Sequence, residues 1–111
     1  MSVERNKKEE ALITRDVESL IITMRNQKVI IDRDLAEIYG VETRRLNEQV
    51  KRNPERFPED FMFRLNREEA GFWARSRSQI ATLKRGMNIK YLPYAFTEHG
   101  AIMAANVLSS P

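Results

Sequence analysis

The stretch DLAEIYGVETRRLNEQVKRN, from Asp34 to Asn53, constrains this chain more than any other. One glycine interrupts residues that otherwise favour helix, with apolar text before it and cationic text after it. Asp32 or Asp34 can cap a first helix whose apolar face is Leu35, Ala36, Ile38 and Tyr39. Gly40 ends that helix, because glycine takes the left-handed conformation at little cost. Val41 lies in the turn, and Glu42 or Thr43 caps a second helix running to about Arg52. Pro54 and Pro58 in NPERFPED then stop it. A helix–turn–helix corner needs a small residue where the helices cross, a residue tolerant of positive φ, and apolar residues pointing back. Ala36, Gly40 and Leu46 meet that spacing, with Leu35, Val41 and Val50 available for the enclosed core.

Projected at about 100° per residue, the second helix turns Leu46 inward and places Arg44, Glu48 and Lys51 nearly opposite. Asn47 flanks that arc on one side, Arg45 and Arg52 on the other. Arginine can read guanine with two bonds and asparagine can read adenine, while lysine and the other arginines suit phosphates. Glu48 opposes this reading, since a carboxylate is repelled by phosphate. An i,i+4 pairing with Arg44 and Arg52 would absorb its charge. The plainer alternative is a solvated face of ordinary ion pairs.

The distribution of charge points the same way. Of a net +3 and a pI near 9.4, residues 1–12 contribute nothing. From Ile13 to Thr43 acids outnumber bases, six to four. From Arg44 to Lys90 twelve bases face six acids, and beyond Lys90 only Glu98 is charged. A basic region of this kind suits a polyanion. There are no cysteines, which removes disulfides and thiolate zinc sites. No apolar run approaches the roughly 20 residues of a membrane span, and the first residues lack the apolar centre of a signal peptide. No membrane partner is expected, and a cytoplasmic, nucleoid-associated location is.

Around the corner the text predicts an α+β domain. Residues 1–12 are polar and aperiodic and read as a frayed terminus, leaving one domain over 13–111. A turn of helix near Asp16 to Ser19 leads into a β-hairpin, Leu20 to Met24 and Val29 to Ile31 around RNQK. Phe61 to Leu65 reads as a strand and Glu68 to Trp73 as a short helix. A basic excursion over residues 75–90 follows. YLPYAF supplies a partner strand, with Pro93 marking an edge or bulge. Thr97 caps a last helix that buries Ile102, Met103, Val107 and Leu108.

Other residues could carry chemistry. His99 is the only histidine, with no second histidine or cysteine for a metal, and capping and dipole roles suit it better than catalysis. Glu59 and Asp60 could hold magnesium in a small nuclease, but adjacent strand residues face opposite ways, and turn or capping use is the better reading. Phe72 and Trp73 precede a cationic segment and could stack on bases, though anchoring a loop in the core is the commoner use of such residues.

The stretch IITMRNQKVIIDRDLAEIYGVETRRLNEQVKRNPERFPEDFMFRL resembles the N-terminal DNA-binding domain family first named for a phage "open reading frame six" protein. That family is related to the KilA-N and Bro-N domains. RSQIAT and YLPYAFTEHGAIMAANVL resemble it in the same order, so the likeness runs from about Ile21 to Leu108. It implies a small DNA-binding module of phage, prophage and mobile-element proteins, with antirepressor or transcription-regulator roles and the recognition helix over Thr43 to Arg52. No catalytic residues carry over, and no cofactor or metal is expected.

Together these readings predict a small winged helix–turn–helix-like domain that binds double-stranded DNA and is not an enzyme. Thr43, Arg44, Arg45, Asn47, Lys51 and Arg52 would enter or border the major groove. Arg75, Arg77, Lys84, Arg85 and Lys90 would bind phosphates. A repressor-binding protein module and a metal-dependent nuclease are the competing classes. A homodimer is admitted, because such readers pair to reach two half-sites, but no dimerisation surface is legible.

Overall fold

The computed structural model describes residues 17–76 and 92–109. Residues 17–20 are helical and lead into a hairpin of β1 (Ile22–Met24) and β2 (Gln27–Ile31). The strands pair from Met24 opposite Gln27 to Ile22 opposite Val29. Only Arg25 and Asn26 connect them, with φ of 53° and 65°. Two consecutive left-handed residues are the mirror-image turn that matches strand twist. Asparagine accepts that conformation readily and arginine does not. Arg25 is held there by its own side chain. Its Nε and Nη2 donate to the two carboxylate oxygens of Glu69, at 2.8 and 3.0 Å, and its guanidinium lies 4.0 Å from the centre of the Phe63 ring.

β2 passes directly into α1 (Asp32–Tyr39). Neither Asp32 nor Asp34 caps this helix, contrary to expectation. Ile31 occupies the cap position without a side-chain bond, and both acids lie inside the first turn, buried. Gly40 closes α1 at φ 70°, and its N–H donates to the Glu37 carbonyl while that of Val41 reaches the Ala36 carbonyl. This nested pair satisfies carbonyls the helix would leave bare. Then follow α2 (Thr43–Arg52), a 3-10 turn (Pro54–Arg56) and β3 (Met62–Arg64). Next come α3 (Arg67–Arg75), β4 (Tyr94–Phe96) and α4 (Glu98–Ser109). Asn66 and Glu69 form a reciprocal capping box at the start of α3. Thr97 caps α4 as expected, its Oγ1 accepting from the Gly100 N–H at 3.3 Å.

The four strands form one antiparallel sheet in the order β1-β2-β4-β3. Side chains alternate between its faces. Ile30, Phe96 and Met62 fall in register on one face and pack with Leu35, Leu46, Val50, Ala104 and Val107 of α1, α2 and α4. Ile31, Ala95 and Phe63 fall on the other and pack with Ala70, Trp73 and Ala74 of α3. Helices on both faces explain why Val29, Ile30 and Ile31 are consecutively apolar and consecutively buried.

The expected strand pair is present as β3 and β4, separated as expected by the short helix, α3, and by the basic stretch. That stretch lies outside the described residues beyond Ser76. In α4, Ile102 is not buried but 58% exposed; Gly100, Ala104 and Val107 make the buried face, with Met103 and Leu108 half-buried. The cause is close approach: a Cβ on Gly100 would stand 1.9 Å from the Phe61 carbonyl oxygen. The small residues therefore set which face turns inward.

Candidate nucleic-acid interface

The corner between α1 and α2 is built from Leu35, Ala36, Leu46 and Val50, all buried, with Val41 packed against them from the turn. α2 also packs against α4. Its inward side is wider than Leu46 and Val50 alone, because Asn47 is 7% exposed. Asn47 Nδ2 donates to Asp32 Oδ2 at 3.1 Å, and the Tyr94 N–H donates to the same oxygen at 3.3 Å. The expectation that Asn47 borders the groove is therefore corrected. A buried carboxylate at the start of α1 needs donors, and Asn47 is spent on that need.

Burying Asn47 turns the helix. With Leu46, Val50 and Asn47 inside, the outward arc centres nearer Arg45, Glu48 and Arg52, with Arg44 and Lys51 along one flank, by about 100° per residue. These five side chains are exposed; Thr43 and Gln49 are half-buried. Among the described residues, no hydrogen bond or ion pair holds Arg44, Arg45, Lys51 or Arg52. The expected pairing of Glu48 with Arg44 and Arg52 is likewise not formed. Arg56, in the 3-10 turn just beyond α2, adds a further exposed cation. NPERFPED shows it as a charge, but its place beside α2 depends on the 3-10 turn that the prolines make.

The outer face is cationic, and the supports beneath it are rigid. Burial pushes the Asp32 carboxyl above its ordinary pKa, while the bonds from Asn47 and the Tyr94 N–H and the nearby Arg33 pull it back. Asp34 Oδ2 accepts from Trp73 Nε1 at 3.2 Å, tying α1 to α3 across the end of the sheet. Tyr39 donates its hydroxyl to the Ala101 carbonyl at 2.7 Å, tying α1 to α4. Both acids were readable as helix starters; that they are anchors depends on contacts distant in sequence.

A family model, the ORF6N domain, matches residues 19–107. The chain belongs to the ORF6N domain family. No curated protein and no solved structure matches it. The match spans this domain's hairpin, corner and sheet and most of the last helix. Of the other cations assigned to DNA, Arg75 is exposed at the end of α3, and Arg77, Lys84, Arg85 and Lys90 lie outside the described residues. His99 of the ORF6N domain stacks on Phe61, with ring centres 5.6 Å apart, and Thr97 Oγ1 donates to the Asp60 carbonyl at 3.0 Å. Trp73 is a core anchor, whereas Phe72 is exposed. Among the described residues no helix is long and apolar enough to cross a membrane.

Proposed function

We propose that this ORF6N domain binds double-stranded DNA, with α2 lying in the major groove and its arginines reading base edges. The observation that carries the reading is the outer face of α2: Arg44, Arg45, Lys51 and Arg52, exposed and unengaged among the described residues, on a helix whose rotation is fixed from beneath. Cations that no acid among the described residues neutralises favour phosphate, and a helix fits the groove's width. Thr43 stands at the helix start, suited to phosphate. Glu48, without an arginine partner, either accepts from a cytosine amino group or disfavours other bases there. A role in phage- or prophage-type transcription regulation, including antirepression, and nucleoid association belong to the same proposal and rest on the family rather than on the geometry of α2.

The test is duplex selection followed by fluorescence anisotropy across a salt series. Affinity for the selected duplex is expected to fall steeply with salt, because phosphate contacts release counterions. Arg45→Ala or Arg52→Ala should cost about 1–3 kcal/mol on the selected site if that residue reads a base. Equal affinity of all four arginine and lysine variants of α2 for every duplex would place the interface elsewhere.

A further inference from the structure

Opposite in character to the cationic face is an apolar groove of about 390 Å³ on the face of the sheet that carries α1 and α4. Ile30 and Phe96 of the sheet, Tyr39 of α1, Ile102 of α4, and Ile21 line it. No residue of α2 lines it. Three large apolar side chains are notably exposed among the described residues, Ile21, Phe72 and Ile102. Two of the three belong to this groove. Isolated exposed apolar residues need no account, but a contiguous apolar patch with exposed knobs marks an interaction site.

Two charges line the same groove, Lys28 and Glu98. Both are exposed, and neither pairs with another described residue. A partner matched to this surface must offer an apolar centre with one acid and one base. A second copy of this chain offers that set under two-fold symmetry, where each contact occurs twice with the roles exchanged. We infer that the groove is a homodimer interface in which Ile102 and Ile21 of each copy pack into the apolar groove of the other, while Lys28 of each copy faces Glu98 of its partner. The inference does not depend on DNA binding. It leaves the cationic face of both α2 helices uncovered.

Analytical ultracentrifugation of the full chain over a range of concentrations tests it. The wild-type chain is expected to show a reversible monomer–dimer equilibrium, and Ile102→Glu to shift it to monomer. Lys28→Glu and Glu98→Lys should each raise the dissociation constant about tenfold or more, because each sets like charges together twice. An equimolar mixture of those two variants should then associate as a heterodimer more tightly than either alone, since both contacts again pair opposite charges, one with native and one with reversed polarity. That recovery cannot arise from misfolding. A wild-type chain that stays monomeric at every concentration would overturn the inference; this is also the outcome if residues 1–16 fill the groove instead. A dimer indifferent to Ile102→Glu, or a mixture no tighter than its components, would equally overturn it.

Discussion

Asn47 holds the central place among single residues. Its Nδ2 meets the buried Asp32 carboxylate, so it fixes the rotation of α2 rather than touching what α2 faces. Asn47→Ala should destabilise the fold by about 1–3 kcal/mol, the cost of a buried acceptor losing a partner, read as a shift in urea midpoint. Asp32 carries a pH dependence of defined sign. Its pKa is raised on folding, so the folded chain holds that proton more tightly than the unfolded chain does. Asp32 therefore costs stability increasingly as pH rises from the ordinary carboxylate value, about 4, through its raised value. Glu69 runs the other way: the Arg25 hydrogen bond lowers its pKa, and its stabilisation is lost as pH falls through the lowered value. Across the same rise in pH, Asp32→Asn should gain stability relative to wild type, measured by urea unfolding at each pH. A difference that is flat with pH would show that Asp32 titrates alike in both states. None of this was legible in the sequence, where an asparagine among arginines reads as a base contact. Its burial follows from where the start of α1 falls against β4, which adjacent text does not encode.

At the scale of elements, the two decisive glycines act by different physics. Gly40 has open space where a Cβ would go, so Gly40→Ala pays only for its left-handed backbone, about 1–2 kcal/mol. Gly100→Ala must displace the Phe61 backbone and should cost about 3 kcal/mol or more. Thermal or urea unfolding of both variants separates the cases; equal small losses would mean that α4 and β3 can move apart. Gly40 was legible because a helix stop is a local event, written in the glycine and its apolar neighbours. The hairpin, the extent of α2 and the Thr97 cap were legible for the same reason. Gly100 was not, because its meaning depends on a carbonyl from the turn before β3, far away in the sequence. The exposure of Ile102 escaped for that reason too: an isoleucine on a helix reads as core until the small residues are seen to face the sheet. The Asn66–Glu69 capping box is local too, written at the three-residue spacing such a box needs.

At the scale of the whole molecule, two apolar clusters lie on opposite faces of one thin sheet, with Val29, Ile30 and Ile31 supplying both in turn. The clusters should therefore melt together. Trp73, the only tryptophan, reports on the α3 face, whereas Leu46→Ala removes packing from the other. That variant should lose about 2–5 kcal/mol. Its tryptophan fluorescence and far-ultraviolet circular dichroism should shift to one shared lower midpoint. Two separated midpoints would make the faces independent. The α+β class could be read from the order of local patterns, but the strand order could not, because pairing partners are chosen by tertiary fit. That order bears on how the chain comes into being. β4, near the end of the described residues, occupies the middle of the sheet, between β2 and β3. A nascent chain leaving the ribosome exposes β2 and β3 with unpaired edges until Phe96 has emerged, so the domain cannot close piece by piece during translation. A polypeptide cut short before Tyr94 would present two sticky edges to its neighbours.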